Sequence, residues 1–332
     1  MRRALYLATL GEGLVSPNPM VGAVIYSEGR IIGEGYHRQY GGPHAEPNAI
    51  RTVKDADRQL LKNATMYVTL EPCSHYGKTP PCARLIIETG IPKVVVASGD
   101  PFKEVSGRGI RMMREAGVEV KEGLLGEESR RLNRHFFTAH TLKRPYILLK
   151  WAQTADGYMG RPDKRLKISN SVSEVWMHRV RASMDAILVG TDTVIKDNPS
   201  LTCRLWPARN LEKRPLKISF DSARLPADSK LACSEPILKR KEESLPSFMG
   251  RLYRDHDVTA LMVEGGARTL NSFIESGLFD EIRIEVSQDI IKDGVKAPAF
   301  LQLLEKEAVR KVEEMKTRSN NIYVFERKEL IF

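Results

Sequence analysis

Short apolar, β-branched runs alternate with segments of helical spacing along the whole chain, a pattern that predicts sheets covered by helices. In the first half VGAVIY and RIIGEGYH read as a hairpin, and MYVTL, KVVVASG and VEVKEG as further strands. HAEPNAIRTV, CARLIIETG and GIRMMREAG read as the helices between them, and GEESRRLNRHFFTAHTLK as one helix closing this half. Lys143-Arg144-Pro145 then marks a boundary, because the residue before a proline rarely continues a helix. The expected domains are 1–143 and 145–332. Beyond the boundary YILLKWAQTADG, AILVGTDTV, LKISFD, ALMVEGG and EIRIEVS read as strands, with SVSEVWMHRVRAS and ARTLNSFIESG as the clearest helices. Between Leu225 and Val258 there is little strand periodicity. Both halves are therefore expected to be α/β, and no internal repeat relates them.

At 332 residues the chain exceeds one ordinary core and suits two. The net charge of +10 raises the question of nucleic acid. Its Lys and Arg, however, are interspersed with acids, as in RKEESLPSFMGRLYRDHD, and no aromatic stacking platform accompanies them. A solvated basic surface, with a few cations reserved for phosphate groups on small molecules, is the expectation, and nucleic acid is not an expected partner. Four cysteines give no disulfide framework, so a reducing cytoplasm is expected. The start, MRRALYLATL, has a leader-like charge pattern, but Gly11-Glu12-Gly13 interrupts it and no small-residue cleavage site follows, so it reads as the first helix. No apolar run reaches the length of a membrane span.

The chemistry is concentrated in His44-Ala45-Glu46, Cys73 and Cys82. One His and two Cys are three soft ligands, which leave a tetrahedral zinc one open position. A neutral imidazole with two thiolates cancels the charge of the ion, making a weaker Lewis acid than a three-His site and calling for a nearby base. Glu46 fits that role. Zinc deaminases divide the work in this way, with an H-x-E segment, a downstream Cys pair, and the Glu carrying the proton. His44 and Cys82 fall at predicted helix starts, where thiolate is favoured over thiol. A structural zinc with His75 as fourth ligand would use the same cysteines but leave Glu46 without a purpose. Eight residues separate Cys73 from Cys82, whereas nucleic-acid deaminases carry P-C-x-x-C, so a different substrate mouth is implied. In the second half no G-x-G-x-x-G follows the first strand, but Gly265-Gly266 before a helix can admit a phosphate to that helix start.

Three ordered blocks, Ser16 to Ile25, Gly33 to Glu46 and Pro72 to Cys82, resemble the deaminase half of the bifunctional riboflavin-biosynthesis deaminase/reductase family. Lys150, Thr154 to Gly157, Arg181-Ala182, Asp185 to Gly190, Asp197 to Thr202, Arg204 and Val263 to Gly266 resemble its reductase half. The resemblance implies a cytidine-deaminase-like three-layer α/β/α domain followed by a dihydrofolate-reductase-like α/β domain. It implies zinc and NADPH as cofactors, and deamination of a diamino-ribosylamino-pyrimidinone 5′-phosphate followed by reduction of its ribosyl to a ribityl chain. The partner is then a small pyrimidine ribonucleotide, with no membrane or nucleic acid involved, and a cytoplasmic homo-oligomer is expected.

By the same resemblance His44, Cys73 and Cys82 are the metal ligands and Glu46, Lys150 and Glu264 are catalytic. Asn18, His37, His75, Lys78, Arg181, Leu201, Arg204 and Glu264 face substrate. Lys167, Thr193, Asp197, Ser222, Gly266, Ala267, Arg268, Thr269 and Leu270 hold the cofactor. Lys150 and Glu264 are expected at opposite strand ends, with the lysine protonating the ring oxygen as hydride arrives. Arg181 and Arg204 suit phosphate because a guanidinium fork matches its oxygens. Two rival readings remain at this point: a zinc-dependent nucleoside or nucleic-acid deaminase with a degenerate second half, and a zinc-stabilised binding protein.

Overall fold

A computed structural model of the chain describes residues 1–75, 80–101, 106–161, 166–206, 215–220, 224–305 and 307–328. It divides into two units, Met1–Leu142 and a second that begins at Lys143.

The first unit opens with helix α1 (Arg2–Thr9), followed by the strands β1 (Gly22–Ser27) and β2 (Arg30–Tyr36). Helix α2 (Ala45–Arg51), β3 (Thr65–Leu70), α3 (Cys82–Thr89), β4 (Lys93–Ser98), α4 (Arg108–Glu115) and β5 (Glu119–Glu122) come next, and α5 (Gly126–Leu132) and α6 (Arg134–Leu142) close the unit. The sheet order is β2-β1-β3-β4-β5, with β1 antiparallel to both neighbours and the rest parallel. Period-two alternation sends Ile25, Met66, Val68 and Val94 to one face, against Ala49, Ile86 and Met113 of α2, α3 and α4. Val24 turns to the other face and packs on Ala4 and Leu7 of α1. Three layers result. Helix α2 lies unusually close to β2, because a Cβ at Gly35 would stand 2.3 Å from the backbone nitrogen of Ala49; that approach fixes where His44 can point.

One expected helix is two. The run from Gly126 breaks at Asn133 (φ −99°, ψ 24°), which is buried. Its side-chain oxygen accepts from the Met20 N–H (2.8 Å) and its amide donates to the Met20 carbonyl (2.9 Å). The break thus aims a side-chain clamp at the Asn18 loop.

The second unit contains β6 (Tyr146–Gln153), β7 (Tyr158–Gly160), α7 (Ser171–Ala182), β8 (Ala186–Leu188), α8 (Thr191–Asp197), β9 (Leu216–Ser219), β10 (Ile237–Leu238) and α9 (Leu245–His256). It continues with β11 (Ala260–Val263), α10 (Ala267–Glu275), β12 (Glu281–Val286), β13 (Val295–Lys296), α11 (Leu301–Glu305), β14 (Val309–Thr317) and β15 (Asn320–Arg327). The eight-stranded sheet runs β10-β9-β8-β11-β6-β12-β15-β14, parallel until the antiparallel β12-β15-β14 end. This is the dihydrofolate-reductase-like arrangement expected from the resemblance. Met177 and Val180 of α7 cover one face, over Leu148, Ile187 and Met262. Phe248 and Leu252 of α9 and Leu270 and Phe273 of α10 cover the other, over Ile147, Leu149 and Leu261.

The structure corrects three expectations here. AILVGTDTV is strand only to Leu188, and Thr191 onward forms α8. The stretch between Leu225 and Val258 holds β10 and the twelve-residue α9, whose start is capped by Ser244 accepting from the Ser247 N–H (3.2 Å). The hairpin β14–β15 went unread because β14 is exposed along much of both faces and carries no apolar alternation. Among the described residues no helix is long and apolar enough to cross a membrane.

Candidate active sites

The metal group is assembled by two helix starts and one loop. His44 is the residue before α2, Cys82 opens α3, and Cys73 sits on the connection after β3. His44 Nδ1 lies 3.4 Å from Cys82 Sγ and 3.7 Å from Cys73 Sγ, and all three donor atoms fall within 4.8 Å of one another. A tetrahedral zinc with ligand bonds of roughly 2.0 to 2.3 Å needs donor separations of about 3.6 Å, so the set fits that ion. His75 is exposed and outside this group, which removes the four-ligand alternative.

The three donor groups also share protons by hydrogen bonds. Cys82 donates its backbone N–H to Cys73 Sγ (3.3 Å). A side-chain hydrogen bond from Cys82 and the nearby imidazole hold Cys73 down to about 4, while sharing that proton and burial push Cys82 up. The hydrogen bond to Cys73 lifts His44 to about 8. Glu46 is buried in the first turn of α2, and burial raises its carboxyl to about 7, the range that suits a group taking and returning a proton near neutrality. Asn18 and His37 are brought to the same place. His37 is buried, its ring centre is 5.4 Å from that of His44, and its Nε2 meets the Asn18 amide at 3.1 Å. His37 Nδ1 lies 3.0 Å from the Pro43 carbonyl, and burial lowers its pKa, so the ring is neutral with Nδ1–H donating and Nε2 accepting. Lys78 lies outside the described residues.

The second unit carries a cleft of about 1340 Å³. Lys150, Lys167, Arg181, Thr193, Asp197, Leu201, Glu264, Gly266, Ala267, Arg268 and Thr269 all line it. It lies over the β11–α10 junction, where Gly265 (φ +116°) occupies backbone space that favours glycine and presents its carbonyl to the Gly190 N–H (2.8 Å). No side chain of the described residues caps α10, so its leading N–H groups face the cleft as an anion cradle.

Several expected placements need correction. Lys150 and Glu264 are not at opposite strand ends: Lys150 lies within β6 and Glu264 just past the end of β11, and because Val263 is in register with Leu149, Glu264 is level with Lys150. Arg181 turns its fork to Glu264 (2.5 and 2.6 Å) and donates to the Thr202 carbonyl (3.1 Å), so it is not presented to a phosphate. Leu270 is fully buried in the core and its N–H goes to Gly266 O (3.1 Å), leaving neither side chain nor amide for a cofactor. Arg204 does not line the cleft and reaches Thr202 Oγ1 at 3.3 Å. Ser222 lies outside the described residues.

Burial draws the Lys150 pKa down; Glu264 and then Glu285 oppose this, and Arg181 adds to the lowering. Glu285 was not anticipated. It is buried on β12 and accepts from Ser169 Oγ (2.5 Å) and Asn320 Nδ2 (2.6 Å), pinning the cleft wall at Ser169. Asp192, also unanticipated, is paired with both Arg224 (2.7 Å) and Arg268 (3.6 Å) in the cleft. Neither carries a local motif that would have exposed it.

The two units therefore define a class: a zinc-type deaminase joined in one chain to a nucleotide-dependent reductase. Residues 1–98 match the cytidine and deoxycytidylate deaminase zinc-binding region, and residues 145–315 match the RibD C-terminal domain. The riboflavin biosynthesis protein RibD of Aquifex aeolicus is 41% identical over 320 residues, covering 89% of this chain and 88% of that one. The protein of the same name from Escherichia coli is 32% identical over 340 residues, covering 92% and 91%. Among solved structures, Acinetobacter baumannii RibD superposes with a TM-score of 0.90 at 28% identity, covering 99% of this chain and 98% of that one. A Thermotoga maritima protein described as a diaminohydroxyphosphoribosylaminopyrimidine deaminase/5-amino-6-(5-phosphoribosylamino)uracil reductase superposes at 0.84 with 33% identity, covering 98% and 97%. The chain belongs to the RibD family, the bifunctional deaminase/reductases of riboflavin biosynthesis. Its cofactors are accordingly zinc and NADPH.

Proposed function

We propose that residues 1–143 hydrolyse the exocyclic amine of a 2,5-diamino-6-ribosylamino-pyrimidinone 5′-phosphate and that residues 145–332 then reduce its ribosyl group to ribityl. The observation that carries this reading is the pairing, on one chain, of a buried Glu46 beside three zinc-type donors with a cleft that sets Lys150 level with Glu264. His44, Cys73 and Cys82 hold the zinc, which when bound supplies Lewis-acid activation of water. Glu46 would take one proton from the attacking water and place it on the ring nitrogen, then take the second from the hydroxyl so added to the ring carbon and give it to the amine, which leaves as ammonia. Neutral His37 and Asn18 orient the pyrimidine.

In the second unit the residues lining the cleft would hold the nicotinamide cofactor, which when bound would supply a hydride for the anomeric carbon. Lys150 gives its proton to the ring oxygen as the carbon–oxygen bond opens, so the product gains one hydride and one proton. The N–H groups of Ala267, Arg268 and Thr269 receive the cofactor pyrophosphate, with Thr193, Asp197 and Lys167 beside them. Arg181 acts by holding Glu264, while Leu201 meets the substrate. The four free cysteines suit a cytoplasmic enzyme, and a homo-oligomer is the expected assembly. The test is one preparation, given the diaminopyrimidine phosphate and NADPH, in which ammonia release and NADPH oxidation are followed together. Ammonia release in the presence of a zinc chelator, or NADPH oxidation that does not wait for it, would refute the sequence of steps.

A further inference from the structure

Glu71 stands between β3 and the metal-site pair Pro72-Cys73, and it is buried. Its carboxylate accepts four backbone N–H groups. One oxygen takes those of Gly109 (3.0 Å) and Ile110 (3.3 Å), and the other those of Gly107 (2.9 Å) and Asp100 (3.4 Å). The donors are Asp100, just after β4, Gly107 before α4, and Gly109 and Ile110 in the first turn of α4. A carboxylate at a helix start that also binds Asp100 is held by donors on both oxygens, and it satisfies N–H groups that would otherwise make α4 an anion site. The backbone N–H of Glu71 itself donates to Ser98 O (2.9 Å). Beside it, a Cβ at Gly109 would stand 2.0 Å from the Pro72 carbonyl oxygen, so α4 presses directly on the peptide that leads into Cys73. Cys73 then passes the constraint onward, because its carbonyl accepts from the Ala83 N–H (3.1 Å) in the first turn of α3.

We infer that Glu71 is a positioning residue of the metal centre, fixing Pro72 and Cys73 against the start of α4 so that the Cys73 sulfur meets His44 and Cys82 at ligand spacing. The physical reason is short leverage. Only one torsion separates the Cys73 backbone from its sulfur, and ligand distances are tolerated to about 0.2 Å, so a backbone free to shift by an ångström loses the site. The inference rests on Cys73 being a metal ligand, as proposed above.

Glu71→Gln keeps the shape but turns one acceptor into a donor facing N–H groups. Zinc transfer from the variant to a colorimetric chelator should be about 10- to 100-fold faster than from the parent. The visible absorption of the cobalt-substituted protein should also change, while reduction of pre-deaminated substrate by the second unit stays the same. Ile91→Ala, a buried apolar truncation in the same unit, serves as the control for lost stability. Unchanged zinc release and cobalt spectrum in Glu71→Gln, or equal changes in Ile91→Ala at matched loss of Tm, would overturn the inference. Should Glu71→Gln fail to fold, hydrogen exchange of the parent decides: stripping zinc should speed exchange at the Gly107, Gly109 and Ile110 amides more than at Val94 and Val96, and equal change would overturn it. Cys73→Ser in the chelator assay separates the two levels. Retained zinc there would remove Cys73 as a ligand, whereas lost zinc there with an unaltered Glu71→Gln removes only the role of Glu71.

Discussion

Arg181 and Glu264 face each other fork to fork across the floor of the second cleft, 83 positions apart in sequence, with side-chain exposures of 16% and 11%. The carboxylate level with Lys150 is thus tied to a half-buried cation, and the lysine feels both charges.

The sign of that coupling can be tested. Arg181 lowers the Lys150 pKa, so Arg181→Met should raise it. If Lys150 donates the proton, activity is present below its pKa and lost above it, and the falling limb of the reductase pH profile should move to higher pH. Overall turnover should also drop, because the half-buried Glu264 is left without its partner. A limb that stays in place would mean another group titrates.

The two chemistries should separate. Glu46→Gln should cut deamination by roughly 10²- to 10⁴-fold, as for a lost general acid/base, with zinc still bound and reduction of pre-deaminated substrate nearly untouched. Lys150→Ala should do the reverse. Loss of both activities in folded Glu46→Gln would show a shared or coupled site.

Cofactor binding should depend on the bare backbone before α10. A Cβ at Gly266 would already stand 3.1 Å from Thr193 Oγ1, and the branches of Gly266→Val would fill the approach to the leading N–H groups. The Kd for NADPH, read by quenching of tryptophan fluorescence, should rise roughly tenfold or more. Parent affinity would place the pyrophosphate elsewhere.

Stability of the second unit should fall in acid through Glu243. Arg251 grips it with two contacts of 2.9 Å and also donates to Leu238 O, tying α9 to β10. Arg251 holds the Glu243 carboxyl at about 2 against an ordinary 4.5. A depressed carboxyl contributes stability that is complete above about pH 4.5 and is lost as pH falls toward 2. Glu243→Gln should therefore cost about 1 to 2 kcal/mol at pH 7 and progressively less below pH 4. Urea unfolding followed by tryptophan fluorescence measures this unit alone, since Trp151, Trp176 and Trp206 all lie within it. A pH-independent cost would point to packing instead.

The metal group was legible in the sequence because its residues sit in short motifs at helix starts, where identity and local position coincide. Most strands with a buried face were legible for a similar reason, since alternation is local. What escaped depends on pairing between distant segments. The levelling of Glu264 with Lys150 follows from the β6–β11 register, and the capture of Arg181 by Glu264 from two elements meeting. Asn133 breaks a helix that its flanking sequence favours, because its side chain binds Met20, 113 positions away. Glu71 carries no local signal, because its four amide partners lie 29 to 39 positions further along the chain.

The order of strands in the second sheet also bears on how the protein is made. β6 is the first strand of that sheet to be synthesised, yet both its neighbours, β11 and β12, come more than a hundred residues later. At roughly 5 to 20 residues per second a ribosome leaves Tyr146-Ile147-Leu148-Leu149, all fully buried in the finished sheet, without either neighbour for on the order of ten seconds. The first unit, by contrast, pairs β1 with β2, its neighbour along the chain. Yield of intact protein at high expression should therefore be limited by nascent chains holding an open β6, and slowing synthesis before Ala260 should lower it further.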